Sequence, residues 1–316
     1  MNLKIIFFIT LLFTLGHIFA SAQSTGFELL TTGPNTEALG LGETTTAYLL
    51  GASNLYTNPA NLAFEPSSGF NADYSLWIGG LTNTHAAVNF KRNRSAIAFG
   101  LLASQADDFE LRSRPGPSQG SFSISYLSLS GAYALNYRNL AIGASFQYLR
   151  EELYIYNASG YAINAGISSH WFNRKLYVSA ALQNAGKMDE LNTEATRLPA
   201  LVRVGINARI YELGTGENDF PVSISVLSDV VIPVNNDPMN NTTNTHEQDE
   251  AYLNFGISVT AADILTLRGG YKTGETTRPL SFGTGIILNN ITANYALVPF
   301  ETGFGTVHSI GIGFTF

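Results

Sequence analysis

The chain has 316 residues, a net charge of −7 at pH 7 and no cysteine, which excludes disulfides and thiolate metal sites. Charged residues make up only 13% of it, against about 25% in an average soluble domain. No tract of Lys and Arg could neutralise phosphates, so we expect no nucleic-acid partner.

The first 22 residues have the pattern of a secretory signal peptide. Lys4 supplies the positive charge, residues 5–15 are apolar apart from two threonines, and Ala20-Ser21-Ala22 fits a cleavage site. The apolar run is about half the ~20 residues that a membrane-spanning helix needs. We therefore predict a signal peptide over residues 1–22 and a mature chain that begins at Gln23.

Residues 23–66 precede the first clear strand pattern. They are rich in glycine and small polar residues, as in the stretch GLGETTTAYLLGASNLYTNPANLA at residues 40–63. The segment also carries too many leucines and tyrosines for a solvated, disordered tail. It therefore needs a place inside a folded structure.

From residue 70 onward the apolar residues alternate with small or polar ones. In residues 139–149, for example, Leu140, Ile142 and Phe146 fall on one face, while Ser145 and Gln147 fall on the other. The predicted strands cover residues 70–78, 82–90, 95–103, 121–136, 139–150, 160–171, 175–185, 200–211, 219–231, 250–260, 264–272, 279–288, 291–299 and 307–316. They are fourteen in number, and most have the ~9–11 residues of a strand that crosses a bilayer.

The connections between these strands alternate in length. Short turns follow every second strand, whereas the intervening connections at residues 105–120, 151–159, 186–199, 234–250 and 299–306 are mostly long and polar. The tight connection at Gly79-Gly80 is the exception. Alternation of this kind is typical of a membrane barrel with long outer loops. Because lipid offers no partner to unpaired backbone groups, the sheet must close. We predict an all-β fold, a fourteen-stranded antiparallel transmembrane β-barrel over residues 67–316, with residues 23–66 as a hatch inside the lumen.

The final strand ends on an aromatic residue. Phe314 and the terminal Phe316 lie on its apolar face and alternate with glycine and threonine. This pattern resembles the terminal signal that outer-membrane barrels present to their insertion machinery. We expect that machinery and outer-membrane lipids as partners, in the outer membrane of a Gram-negative bacterium.

The stretch at residues 40–63 resembles the opening of the PorV/PorQ family of outer-membrane proteins. The residues that carry the resemblance are Gly40, Gly42 and Glu43, followed by Asn58-Pro59-Ala60. Related FadL-type fatty-acid channels share the Asn-Pro-Ala element, and the resemblance implies the same barrel with an N-terminal hatch. Asn61 departs from the pattern, since a glycine normally follows the Asn-Pro-Ala element.

Two functions are compatible with this pattern. The resemblance implies a role in type IX protein secretion, with the translocon and secreted cargo as partners at the cell surface. The alternative is passive uptake of a hydrophobic ligand through a lateral opening, as in FadL-type channels, beside the strand at residues 95–103 with Gly100 as a candidate weak point. The acidic character of the connections at 105–120 and 234–250 disfavours strong lipid capture. The sequence leaves both functions open.

No pattern of residues indicates an enzyme, a cofactor or a structural metal. His85, His170 and His308 lie on or near predicted strands without a second ligand at metal spacing. His246 lies beside acidic residues in a predicted loop, which is more typical of a solvated acidic loop than of a cation site. No nucleophile, zinc-protease or phosphate-binding motif occurs.

Four basic residues fall on the inward face of predicted strands. They are Arg203, Arg209, Arg268 and Lys272. We expect them to line a polar lumen and to pair with carboxylates of the hatch, including Glu37 and Glu43.

Overall fold

The computed structural model describes residues 27–110, 118, 120–214, 220–234, 251–301, 303 and 305–316. The predicted signal peptide at residues 1–22 and His246 in its acidic loop lie outside the described residues. In the described part of the chain, no helix is both long enough and apolar enough to cross a membrane.

Fourteen strands of the described chain form one closed barrel in which every neighbouring pair is antiparallel. The barrel strands are β1 (Gly69–Leu76), β2 (Thr82–Arg92), β3 (Ser95–Glu110), β4 (Ser121–Tyr137), β5 (Leu140–Leu153), β6 (Tyr156–Trp171), β7 (Leu176–Met188), β10 (Leu201–Leu213), β11 (Val222–Pro233), β12 (Tyr252–Ala261), β13 (Leu265–Lys272), β14 (Leu280–Leu288), β15 (Ile291–Pro299) and β16 (Thr306–Thr315). Two-residue strands β8 (Glu190–Leu191) and β9 (Glu194–Ala195) pair with each other outside the barrel sheet. β1 pairs with both β2 and β16, which closes the ring. The predicted fourteen-stranded barrel is confirmed.

The two faces of the sheet differ in chemistry, as the alternation predicts. Along β5, Ile142 and Phe146 are exposed on the outside, whereas Ser145 and Gln147 are buried on the inside. Large apolar side chains are exposed on the outer face of every barrel strand from β1 to β16. Such a belt suits hydrocarbon, while the small polar inner face suits contact with backbone and water.

Several strands run beyond their predicted ends. Residues 151–159, predicted as a long polar connection, instead continue β5 to Leu153 and begin β6 at Tyr156, with only Tyr154 and Ile155 between them. β3 likewise continues to Glu110, past the predicted end at residue 103. The prediction was wrong at these ends because a strand that protrudes beyond the apolar belt needs no apolar outer face, so its polar residues look like a loop.

Residues 27–66, here called the N-terminal segment, form short helical turns instead of strands. The turns are 3₁₀ helix Glu28–Leu30, α1 (Thr36–Gly40), 3₁₀ helix Gly51–Ser53, α2 (Asn54–Thr57) and 3₁₀ helix Pro59–Phe64. The Asn35 side chain caps α1 by accepting from the Ala38 N–H, and Asn58 caps the turn that Pro59 begins. A further 3₁₀ helix, Ile78–Gly80, makes the tight β1–β2 connection.

The core lies between the N-terminal segment and the inner face of the barrel. Leu55, Leu62 and Phe64 of the segment are fully buried, and they belong to one cluster with alanines of β3, β4, β5 and β6. The alanines that these four strands contribute to the cluster are Ala96, Ala98, Ala132, Ala134, Ala141, Ala158 and Ala162. Because alanine is small, the segment approaches these strands closely enough to exclude water.

Candidate functional site

The N-terminal segment meets the barrel backbone on two nearly opposite sides. On one side, a Cβ added to Gly40 would lie 2.9 Å from the Gly283 Cα of β14, and a Cβ added to Gly270 of β13 would lie 2.1 Å from the Gly42 nitrogen. On the other side, a Cβ added to Gly143 of β5 would lie 2.5 Å from the Pro59 carbonyl carbon. Glycines at facing positions therefore permit backbone contact that any side chain would prevent.

Glu43 is the centre of a buried ion-pair network on the first of these sides. Its carboxylate lies 3.0 Å from Lys272 Nζ and 3.2 Å from Arg278 Nη1, and its backbone carbonyl accepts a hydrogen bond from Arg203. Burial alone would raise the pKa of Glu43, but the positive charges of Lys272 and Arg278 outweigh it and lower the pKa to about 2. Glu43 is therefore ionised at any physiological pH.

Two further carboxylates join the same part of the segment to the wall, Asp229 through Arg203 and Glu37 through a separate ion pair. Asp229 of β11 accepts hydrogen bonds from the backbone N–H groups of Thr45 and Thr46, both at 3.0 Å, and pairs with Arg203 at 3.0 Å. Glu37 of α1 pairs with Arg268 and accepts a hydrogen bond from the Tyr48 hydroxyl at 3.0 Å. These bonds join residues 37–46 to β10, β11 and β13.

The structure places three of the four predicted basic residues, Arg203, Arg268 and Lys272, against the N-terminal segment. Arg209 differs: it is half-exposed near the end of β10 and bonds Glu212 at 3.4 Å. Arg209 pairs with Ser225 in unbroken register, because the bulge lies beyond it, between Arg209 and Tyr211. The expected pairing of Arg209 with a carboxylate of the N-terminal segment is therefore not seen among the described contacts, although its place in the strand is as predicted. Arg278, which the sequence reasoning missed, lies between β13 and β14, where no predicted strand assigns it a face.

The Asn-Pro-Ala element makes polar contacts with β6. Asn58 donates to the Thr46 carbonyl at 2.9 Å and to Ser168 Oγ at 3.1 Å, and its side-chain oxygen accepts from the Ala60 N–H. Asn61 is also fully buried, donates to the Thr46 carbonyl and accepts from the Ser168 hydroxyl. Asn61, where the related motif has glycine, thus adds a second side-chain hydrogen bond between the segment and Ser168 of β6.

Glu65 lies at the end of the segment, just before β1. Its carboxyl accepts hydrogen bonds from the Gly51 N–H at 2.8 Å and from Asn54 Nδ2 at 2.7 Å. Burial raises the pKa of Glu65 to about 7, although both hydrogen bonds and the charge of Lys91 oppose the rise. This carboxyl therefore changes charge near neutral pH.

Two small recesses between the N-terminal segment and the barrel wall adjoin residues 29–34. One has a cavity volume of about 20 Å³ and is bordered by Tyr56, Gln147 and Asn184. The other has about 10 Å³, room for about one water, and is bordered by Asp73 and His85. Leu29, Thr32, Gly33, Pro34 and Leu102 border both recesses.

The wall is continuous at the predicted weak point. Gly100 pairs with Ala87 of β2 and with Ser130 of β4, and both ladders run without a break from Ser95 through Gln105. This structure therefore shows no opening at Gly100, and a lateral opening beside β3 stays a prediction. A Cβ on Gly100 would lie 2.8 Å from the Tyr56 hydroxyl, so this glycine serves close approach of the segment instead.

The terminal aromatic residues lie on the outside of the barrel. Phe314 and Phe316 are exposed, their rings stack with centroids 6.1 Å apart, and the Phe316 N–H donates to the Ser68 carbonyl. The role of the terminal residues in insertion stays a prediction.

Among the residues that the structure describes, no group of three or more His, Asp or Glu side chains is arranged to hold a metal ion.

The fold is shared with solved bacterial channels. The toluene transporter TbuX of Ralstonia pickettii matches with a TM-score of 0.59 and 15% identity, over 90% of this chain and 98% of its own. The monoaromatic hydrocarbon channel CymD matches with a TM-score of 0.61 and 13% identity, over 93% of this chain and 99% of its own. The toluene transporter TodX of P. putida matches with a TM-score of 0.58 and 11% identity, over 90% of this chain and 99% of its own.

These matches show that the chain shares its fold, a closed β-barrel, with these three channels. At these identities the likeness concerns the fold. No family model matches the chain, and no curated protein matches it in sequence. The PorV/PorQ assignment and the type IX secretion role therefore rest on the sequence resemblance alone.

Proposed function

We propose that this protein is a non-enzymatic outer-membrane channel for passive passage of small hydrophobic molecules, in which residues 27–66 act as the hatch. The observation that carries the proposal is the match of nearly the whole chain to channels described as carrying toluene or monoaromatic hydrocarbons. Their chains are covered almost completely, so the likeness is not limited to a few hairpins. Of the two functions open from sequence, the comparisons favour this one.

The interior chemistry supports a gated route over an open pore. The N-terminal segment is buried and meets the inner face of strands on opposite sides of the ring. The recesses beside it, of about 20 and 10 Å³, have room for one or two water molecules and form no aqueous channel. Passage of a molecule across the barrel therefore requires displacement of part of the segment.

A disulfide lock tests this requirement in a chain that has no cysteine of its own. Thr36 Oγ1 of α1 lies 2.7 Å from Ser309 Oγ of β16, so T36C/S309C places two sulfurs within bonding reach. The matched control is S75C/S309C, because Ser75 Oγ lies 2.8 Å from the same Ser309 Oγ but belongs to the wall. The control disulfide joins β1 to β16 and leaves the N-terminal segment unattached.

The assay is uptake of radiolabelled toluene by a porin-deficient Gram-negative host that expresses each variant. We expect oxidised T36C/S309C to lose uptake, reductant to restore it, and oxidised S75C/S309C to retain it. Retained uptake in the locked variant would show that the hatch does not move at α1. Failure of the wild-type chain to carry toluene above the empty host would refute the proposed function itself.

A further inference from the structure

Phe27, the first residue of the N-terminal segment, is buried in a strained backbone conformation. Its φ angle is 63°, in the left-handed region, which a bulky residue rarely adopts because its Cβ crowds the backbone. The side chain is nevertheless only 2% exposed. Such a conformation persists only where the surrounding contacts hold it, and strain of this kind clusters at ligand sites and switch regions.

The ring of Phe27 lies in an apolar site on the inner face of the wall. It packs edge-to-face against the Tyr126 ring of β4, with the ring centroids 4.8 Å apart. Tyr126 lies beside Glu151 of β5 in the strand register, and Ala158 of β6 follows at the same level. Leu149 and Ala158 are buried and belong to the same apolar cluster as Phe27. The site fits one benzene ring, because it already holds one.

The backbone after Phe27 is bound to the wall independently of the ring. The Leu30 N–H donates to the Phe27 carbonyl at 3.0 Å, and the Leu30 carbonyl accepts a hydrogen bond from Asn184 Nδ2 of β7 at 3.1 Å. Neither hydrogen bond involves the Phe27 side chain. Rotation of the ring about its side-chain bonds therefore leaves both of them in place.

We propose that this is a binding site for a neutral monoaromatic molecule of the size of toluene, and that the Phe27 ring occupies it until the ligand displaces the ring. The side chain of phenylalanine is toluene with one hydrogen replaced by the bond to Cα. A space that a large side chain leaves in an apolar core stays dry and binds benzene. The two recesses beside residues 29–34 have room only for water, so a ligand ring enters here by exchange with the Phe27 ring. The inference rests on the proposed function for the supply of small aromatic molecules, and it names the site that receives them.

Benzoate distinguishes a neutral from a charged aromatic ligand at this site. It has the same ring as toluene but carries a carboxylate in place of the methyl group. Glu151 is 4% exposed, and one of its carboxyl oxygens has no hydrogen-bond partner among the residues that the structure describes. Benzoate would bury its charge beside this acidic group, and burial of an ionised group without a partner is costly. We therefore expect the site to bind toluene and to exclude benzoate.

A fluorine label on Phe27 reports the exchange directly. Fluorophenylalanine is incorporated at this position alone, and the ¹⁹F signal of the purified protein is followed during titration with toluene and with benzoate. The matched control carries the label at Phe64, which is fully buried in the same segment with its ring centroid 4.9 Å from that of His170. We expect toluene to shift the Phe27 signal saturably towards that of a solvent-exposed ring. We expect no shift with benzoate and an unmoved Phe64 signal with either compound.

Removal of the ring tests the competition between Phe27 and the ligand. In Phe27→Ala the ligand no longer has to displace a side chain, so we expect the Kd for toluene to be at least about tenfold lower than in wild type. Phe146→Ala is the control, because it removes an exposed ring that stacks on Tyr161 outside the barrel, and we expect it to leave the Kd unchanged. A fluorine label on Tyr126, which adjoins the site, measures the Kd in all three proteins. Heat-modifiable migration on gels verifies that both variants retain a folded barrel.

The outcomes separate this inference from the proposed function. Toluene uptake in cells without a saturable shift of the Phe27 label overturns the inference and leaves the channel function standing. A Kd for toluene that F27A does not lower also overturns it, and so does a shift of the Phe27 label that benzoate produces equally. A saturable shift and a lower Kd in F27A, without toluene uptake above the empty host, support the site and refute the hydrocarbon route.

Discussion

Replacement of Glu43 by glutamine tests the ion-pair network that holds the N-terminal segment. Glu43 is 5% exposed and lies between Lys272 and Arg278, at 3.0 and 3.2 Å. Glutamine keeps the size of the side chain and removes its charge. The two cations then remain buried beside a neutral amide.

The expected loss of stability in E43Q follows from the lowered pKa of Glu43. The pKa of Glu43 falls from a reference value of 4.5 to about 2, because Lys272 and Arg278 stabilise the carboxylate beyond its burial cost. At about 1.4 kcal/mol per pKa unit, this difference corresponds to roughly 3 kcal/mol. Breaking a buried pair by removing one partner costs about 3–5 kcal/mol. We expect E43Q to lower the free energy of unfolding by about 3 kcal/mol at pH 7.

The pH dependence has a defined sign. A carboxyl whose pKa is lowered on folding stabilises the folded state above its unfolded pKa of 4.5, and this contribution disappears as the pH falls through about 2. The unfolding free energies of wild type and E43Q are therefore expected to differ fully at pH 7 and to converge toward pH 2.

The assay is urea unfolding of the refolded barrel in phospholipid vesicles, followed by tryptophan fluorescence. Glu212→Gln is the control, because Glu212 pairs with Lys175 at an exposed position, where solvent screens the ion pair and its contribution to stability is small. Equal losses in E43Q and E212Q would refute the buried-network argument. A difference between E43Q and wild type that persists unchanged at pH 2 would refute the assignment of the effect to the Glu43 charge.

Two further predictions concern the fit and the titration of the segment. Gly270→Ala places a Cβ 2.1 Å from the Gly42 nitrogen, whereas the Cβ of Gly131→Ala would have Phe99 as its nearest neighbour, at 3.7 Å. We expect G270A to lower the free energy of unfolding in urea by several kcal/mol and G131A to leave it unchanged. Equal effects of the two substitutions would contradict the close contact between Gly270 and Gly42. Burial raises the pKa of Glu65 to about 7, so its protonation contributes stability that is fully present below pH 4.5 and is lost as the pH rises through about 7. We expect the free energy of unfolding in urea to fall between pH 5 and pH 8 by roughly 3 kcal/mol more in wild type than in Glu65→Gln. Equal falls in the two proteins would contradict the raised pKa of Glu65.

The strands of the barrel could be predicted from sequence because two solvents impose the same period. Lipid selects apolar residues on one face, and the segment or water selects small and polar residues on the other, so the period of two runs through β5, β12 and β16 alike. The ends of the strands could not be predicted in the same way. Beyond the apolar belt, lipid no longer selects apolar residues on the outer face. Residues 105–110 and 151–153 therefore lie in strands although their composition is that of a loop.

The candidate site could be predicted only in part. The alternation within each predicted strand placed Arg203, Arg268 and Lys272 on the inward face, and this prediction requires only the pattern of a single strand. Asp229 also falls on the inward face of a predicted strand, yet its partners Thr45 and Thr46 lie 184 and 183 residues away. Such a pairing depends on the register between strands and on the path of the segment, which the pattern of a single strand does not contain.

The two halves of the N-terminal segment are held by different forces, and this decides where movement is least costly. Residues 50–64 pack apolar side chains against alanines of β3 to β6, whereas residues 37–46 bind β10, β11 and β13 through buried ion pairs. Separation of buried ion pairs leaves uncompensated charges, and separation of the apolar half exposes a large apolar surface to water. Residues 32–34 are instead half-buried and border both recesses, and Thr32 Oγ1 donates to the Leu29 carbonyl within the segment itself. We therefore expect displacement to begin at residues 32–34. The hydrogen bond between Thr36 and Ser309, immediately after this stretch, is the contact that such a displacement meets first.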